Sequence, residues 1–288
     1  MGDRRLPKLH LGFVAICLSE QDCSPAGTVT VRAASSLSPA ERRYRLLEVA
    51  RRNLQNTLRI LWFLKAHNFE LYRLSANLIP LATHELTKDW RWWEEPSLRE
   101  LGGRIGRAVG ELGIRVSSHL PELCGLTSPR LVRWLEAYLA YHRRLFDLLE
   151  LDERARILIH VGGGADQKRS LAYAHRTLGQ LNPWALRRLV LENDDRVFAL
   201  EDVLPLAEAH GLAVAFDWHH HRCNPGGATD GDELVELLLR AFSGWRDRPP
   251  KVHVSSPRSS KQPRAHADYV DPSLIQTATQ GLQKHRRA

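Results

Sequence analysis

The chain has 288 residues, 43% of them hydrophobic, and 41 Lys and Arg against 33 Asp and Glu, a formal charge of +8 with a pI near 9.6. That size supports one sizeable core, and the basic excess favours a polyanionic partner, nucleic acid first. No apolar run approaches the ~20 residues of a membrane span, and Cys17, Cys23, Cys124 and Cys223 lack the CxxC spacing of a redox or zinc motif.

The cysteines therefore read as reduced thiols of a cytoplasmic protein, nucleoid-associated if the source is bacterial. Arg4-Arg5 followed by Leu9 to Leu18 lacks a small-residue cleavage site. It reads as the approach to a first strand rather than as a secretory signal. The expected assembly is a monomer, and the expected organisation is one α/β domain over residues 1–288, its last ~20 residues atypical.

His10 to Cys17 reads as strand one, and Cys23 to Leu37 as a long irregular connection. Ser38-Pro39-Ala40-Glu41 starts a helix, with Ser as cap and Pro in the first turn. Its apolar residues keep a 3.6 period to about His67. Leu71 to Leu74 is strand two, followed by an irregular loop ending at His84. Asp89 to Glu95 interleaves Trp90, Trp92 and Trp93 with Arg91. Such a stretch can stack bases, or it can pin a loop to the protein.

Ser97 to Leu112 is helical, and Arg115 to Ser118 is strand three with His119 at its tip. Ser128-Pro129 opens a helix reaching Leu149. Arg156 to His160 is strand four, and Asp166 to Leu181 a helix. Arg188 to Leu191 is strand five, running into Glu192-Asn193-Asp194. Glu201 to His210 is helical, with Gly211 just beyond its end. Leu212 to Phe216 is strand six, apolar on both faces as a buried parallel strand is. Asp217 and three consecutive histidines, His219, His220 and His221, follow it. Asp232 to Phe242 is a helix, Lys251 to Ser255 strand seven, and His266 falls in the loop after it. Asp271-Pro272 starts a last helix.

Strand and helix thus alternate seven times, which implies a parallel sheet with right-handed crossovers. The fold class is α/β, a TIM-type barrel whose eighth strand is not evident. His84, His119, His160, Glu192, Asp217, His220 and His253 each follow a strand, on the face where barrel enzymes build their sites. Imidazole and carboxylate together suit zinc, manganese or iron. Two or three such ions suit phosphoryl-oxygen chemistry.

In this order the motifs carry a resemblance. They are Tyr72-Arg73-Leu74-Ser75, Leu78-Ile79-Pro80-Leu81-Ala82-Thr83-His84, His119 and Ile159-His160-Val161-Gly162-Gly163. Next come Leu191-Glu192-Asn193-Asp194, Phe216-Asp217-Trp218-His219-His220-His221 with Asn224-Pro225, Lys251-Val252-His253-Val254-Ser255 and Ala265-His266-Ala267. From Leu11-Gly12 to about Asp271 the chain resembles the UV damage endonucleases, metal-dependent barrel enzymes of DNA repair. The resemblance implies a nick in damaged double-stranded DNA immediately 5′ to a UV photoproduct. It implies two or three divalent ions, manganese first, with zinc, magnesium or cobalt as the other candidates. By position the implied ligands are His84, His119, His160, Glu192, Asp217, His220, His253 and His266. Glu192 and Lys251 are the implied catalytic residues, and the lysine is carboxylated in some members. Arg73, Arg222 and Arg258 are candidates for the DNA backbone.

The chain also departs from the family. His119-Leu120-Pro121-Glu122-Leu123 stands where the family has His-Pro-Gly-Gln and an aromatic. Phe13 replaces a Tyr, and Cys17 an Asn. The lesion-reading set is therefore Phe13, Cys17, Glu122 and Leu123. No segment after His266 matches the family's last strand with its ligand Glu, which implies either a chain altered there or a different site geometry. Three other readings stay open: an apurinic-site endonuclease, another metal-dependent barrel enzyme such as a sugar isomerase, and a DNA-binding protein with lost or reduced cleavage.

Overall fold

The computed structural model describes residues 9–227, 231–246 and 248–276. Its contacts divide the chain into two compact units. One reaches to His119 and takes in Ala137–Arg156; the other comprises Leu120–Glu136 and the chain from Ile157 onward.

In the first unit β1 (Gly12–Val14), β2 (Leu71–Arg73) and β3 (Arg115–His119) pair in parallel, in chain order. β1 is far shorter than the expected span, and Ala15 leaves it at φ 53°. Gly12 is required there, since a Cβ would stand 2.0 Å from the Leu71 carbonyl oxygen. Within the connection read as irregular lies a five-residue helix, α1 (Val31–Ser35), capped by Thr30.

α2 (Pro39–Ala66) follows as expected, closed by a capping box between Ser38 and Glu41. It packs on α3 (Pro96–Leu112), which ends at Gly113, φ 68°. Trp90 and Trp92 are buried. Trp90 Nε1 donates to Glu95 at 2.9 Å, and the Arg144 guanidinium covers Trp93 at 3.5 Å. In this structure the tryptophans fasten their loop to the first unit. α4 (Pro129–Leu148) is divided by residue number between the two units.

In the second unit β4 (Arg156–His160), β5 (Leu189–Glu192), β6 (Ala213–Asp217) and β7 (Val252–His253) pair in parallel, again in chain order. Between them come α5 (Gln167–Gln180), α6 (Pro183–Arg188), α7 (Leu200–Ala209), α8 (Trp218–Cys223) and α9 (Gly231–Ser243). α6 was absent from the sequence reading, although Asn182-Pro183 is a cap followed by a first-turn proline. Leu158, Val190, Ala215 and Trp245 form a core cluster, and Trp245 Nε1 donates to the Val214 carbonyl at 2.7 Å.

This is the TIM-type α/β order, with seven parallel strands among the described residues. No described strand plays the part of an eighth. After β7 comes an antiparallel hairpin, β8 (Pro257–Ser259) and β9 (Gln262–His266). His266 is thus the last residue of a strand and not a loop residue, a correction to the sequence reading. β7 is two residues long against the expected Lys251 to Ser255, although the Phe216 amide still donates to the Lys251 carbonyl at 3.3 Å just before it. Residues 272–276 are helical, as Asp271-Pro272 predicts. No described helix is long and apolar enough to cross a membrane.

Candidate metal centre

Strand register assembles the site of the second unit. His160 pairs with Glu192 across β4 and β5, and Asp217 with His253 across β6 and β7. All four therefore stand at the same ends of parallel strands. Glu192 and Asp217 are 1% and 3% exposed. Burying two carboxylates costs several kcal/mol each unless cations or strong donors face them.

Three imidazoles face Glu192. His253 Nδ1 is 3.1 Å from Glu192 Oε1, while His160 Nε2 and His220 Nδ1 are each 3.6 Å from it. Asp217 Oδ2 lies 3.7 Å from His253 Nδ1 and 3.8 Å from His220 Nδ1. Burial alone would lower the His160 pKa; the Glu192 carboxylate, with Asp194 and Asp217, outweighs it and holds the imidazole above its ordinary value. Burial would raise the Asp217 pKa, as does Glu192, but His253 and His220 bring it below the usual carboxylate range.

The three histidines of the polar run point to different partners because they sit on one short helix, α8. Asp217 makes that helix by capping it: Oδ1 accepts from the His220 amide at 2.9 Å. At ~100° per residue successive side chains diverge. His220 turns to Glu192, His221 packs against Phe216 at 5.3 Å, and His219 Nε2 donates to the Arg264 carbonyl at 3.2 Å. His220 Nδ1 donates to the Asn193 carbonyl at 2.9 Å. A carbonyl only accepts, so Nδ1 carries the hydrogen, which leaves the lone pair of a neutral ring on Nε2. A backbone carbonyl fixing one ring nitrogen is how metal-ligating histidines are oriented.

The donor set fits divalent ions. One oxygen or nitrogen each from Glu192, Asp217 and His220 lie within 4.8 Å of one another, all three residues being buried. The His266 ring stands 5.4 Å from that of His220 and 4.8 Å from that of His219, with Nδ1 2.7 Å from Ser255 Oγ. Lys251 is half-buried two residues before His253, on the same side of an extended segment.

Glu122 and Leu123 occupy an exposed turn, with Leu123 41% exposed. Arg222 lies exposed on α8 and Arg258 exposed on β8. In the first unit, the His84 Nδ1 accepts from the Leu86 amide at 3.1 Å, and His119 closes β3. Arg73 is half-buried at the end of β2. Phe13 packs edge-on against Phe63, Phe69 and Tyr72, and Cys17 is buried.

Two residues matter here that the sequence reading did not single out. Asn193 clamps Asp217, and His219 holds the β8–β9 hairpin. Both lie inside quoted motifs. Their roles depend on contacts with segments 24 and 45 residues away, which no local pattern encodes.

The family described as UV-endonuclease UvdE matches residues 9–284. A UV DNA damage endonuclease of Bacillus velezensis is 37% identical over 271 residues, spanning 92% of this chain and 83% of its own. One from Bacillus cereus strain B4264 is 34% identical over 283 residues, spanning 96% and 87%. The crystal structure of SacUVDE superposes with a TM-score of 0.83 at 30% identity, covering 95% of this chain and 90% of that one.

Proposed function

The chain belongs to the UV-endonuclease UvdE family, and from that premise we propose that it is a metal-dependent endonuclease nicking double-stranded DNA 5′ to UV photoproducts. One observation carries the metal dependence: the buried Glu192 carboxylate, surrounded by His160, His220 and His253 with Asp217 beside them. The proposed ligand set is His84, His119, His160, Glu192, Asp217, His220, His253 and His266. The ions are proposed as two or three, manganese first.

Bound there, divalent ions supply a hydroxide nucleophile at neutral pH and offset charge on the phosphoryl oxygens. The protein's own residues do the rest. Asn193 fixes the His220 tautomer and the position of Asp217. Glu192, held among imidazoles, would be one of the residues that hold the ions. Lys251 is proposed to act beside it; carboxylation would exchange its positive charge for a negative one, which suits a neighbouring cation. Phe13, Cys17, Glu122 and Leu123 are proposed to meet the lesion, with Arg73, Arg222 and Arg258 on the sugar-phosphate backbone.

The test is nicking of UV-irradiated and unirradiated supercoiled plasmid, with manganese and with a chelator. Nicks requiring both irradiation and metal support the proposal. Equal nicking of both plasmids would reject lesion specificity, and nicking in excess chelator would reject metal dependence. A second reading, binding without cleavage, is favoured by one observation: Glu122 and Leu123 stand where the resemblance leads one to expect Gln and an aromatic. It predicts that the protein retards irradiated duplex but nicks neither plasmid under any metal.

A further inference from the structure

The β8–β9 hairpin is built from a segment without acids. Ser255 to Ala267 contains Arg258, Lys261, Arg264 and His266 and no Asp or Glu. A lone two-stranded hairpin is marginal in water, so its anchors decide what it can do. Three contacts tie it down. His219 donates to the Arg264 carbonyl, Arg264 Nη1 donates to the Asp195 carbonyl at 2.9 Å, and Cys223 Sγ lies 3.8 Å from the Pro263 carbonyl. At its base Ser255 Oγ meets His266 Nδ1, and the Ala267 amide donates to the Ser256 carbonyl at 2.9 Å.

The cations on this arm fall into two kinds. Arg264 is committed to Asp195, whose carboxylate is also 3.9 Å away. Arg258 and Lys261 are exposed and, among the described residues, make no hydrogen bond or ion pair. Lys261 sits in the two-residue turn between Ser259 and Gln262. The opposite end carries His266 against His220 and His219. Five residues at ~3.4 Å each put the turn roughly 17 Å from that end at full extension. At ~3.4 Å rise per nucleotide of one strand, this is about five nucleotides.

We infer that the hairpin is a phosphate-binding arm: anchored through His219 and Arg264, it lays Arg258 and Lys261 on the duplex backbone within about five nucleotides of the metal centre. His219 is then a positioning residue for the arm rather than a ligand. The inference rests on the endonuclease reading for its substrate class, duplex DNA.

Phosphate contacts displace counterions, so each gives a slope of about −0.9 in log K against log salt on duplex DNA. The experiment measures equilibrium binding of metal-replete protein to a short undamaged duplex across salt. Parent, Arg258→Gln with Lys261→Gln, and Arg154→Gln are compared. Arg154 is an exposed cation of the first unit engaged with Asp152. The slope of the double variant is expected to flatten by about 1.8, with that of Arg154→Gln unchanged. His219→Ala should flatten the slope part way and speed amide exchange across residues 257–266. A double variant with the parent slope, or an equal flattening by Arg154→Gln, overturns the arm while leaving the endonuclease reading intact. A parent affinity flat with salt overturns both.

Discussion

Asn193 holds Asp217 as one strand holds another. Its side-chain amide donates to the Asp217 carbonyl at 3.0 Å, and its side-chain oxygen accepts from the Asp217 amide at 2.8 Å. The pair extends the β5–β6 ladder by one rung, with a side chain in place of a peptide. It fixes the residue that caps α8, and the Asn193 carbonyl fixes His220 on that helix.

Replacing Asn193 by Ala removes both buried hydrogen bonds to the Asp217 backbone and leaves its amide without the Asn193 acceptor. Each unsatisfied group costs about 1–3 kcal/mol. A loss of several kcal/mol is therefore expected in urea unfolding, together with weaker manganese binding by calorimetry. Asn193→Asp keeps the acceptor and loses the donor, so it should fall between Ala and the parent. A variant as stable as the parent would show that water replaces the clamp.

Glu192→Gln keeps the shape of the side chain and removes the charge that His160, His220 and His253 face. Nicking of irradiated plasmid is expected to fall by roughly a hundredfold or more, on the scale of losing one preorganised electrostatic group. Binding to an irradiated duplex should persist, because the backbone contacts proposed above fall on Arg73, Arg222 and Arg258. Parent-level nicking at limiting manganese would remove Glu192 from the proposed ligand set.

His142 gives a pH dependence of stability. It is buried in the first unit: Nδ1 donates to the Tyr138 carbonyl at 2.8 Å, and Nε2 accepts from the Ser118 hydroxyl at 2.6 Å. The neutral ring satisfies both bonds. Burial pushes the pKa down, aided by His119 and opposed by the Tyr138 carbonyl, to about 4 from 6.5. The unfolded chain therefore binds the proton more readily than the folded one. The stabilisation is full above about pH 6.5 and is lost as pH falls toward 4, amounting to at most about 3 kcal/mol. His142→Gln, which does not titrate, should be flatter over that window in urea midpoints. Parallel curves for parent and variant would show that His142 is not the titrating group.

The polar ends of the strands were legible because buried parallel strands are apolar throughout, so His160, Glu192 and Asp217 stand out where the apolar run stops. α2 was legible from Ser38-Pro39 and a long 3.6 period. α8 was not, since six residues show no period and its cap is also a strand terminus. The hairpin was hidden for a different reason. Ser, Arg and Pro are poor strand formers, and the segment is held by carbonyls met through His219 and Arg264 rather than by a buried face. The burial of Cys17 depends likewise on packing that its neighbours in sequence do not announce.

Lesion reading is expected to be weaker or broader than in relatives with Gln and an aromatic after the third strand. Glu122 and Leu123 sit in an exposed turn, where the Cys124 amide donates to the Pro121 carbonyl at 2.8 Å. A photodimer pairs and stacks poorly, so drawing it out of the helix costs less than drawing out normal bases. Any wedge that fills the vacated space exploits that difference, and apolar side chains serve as wedges elsewhere. Leu123 fills space without the ~1–3 kcal/mol that stacking an aromatic on a base contributes. Glu122 accepts hydrogen bonds but donates none, and its charge repels phosphate. Abasic sites, which need little extrusion, should become comparatively good substrates. The check is Glu122→Gln with Leu123→Tyr, assayed on a photodimer duplex, an abasic duplex and their undamaged twin. The double variant should favour the photodimer over the undamaged twin by about tenfold more than the parent does, as ~1.4 kcal/mol of added stacking would give. Discrimination equal to the parent's would mean that this turn does not read the lesion.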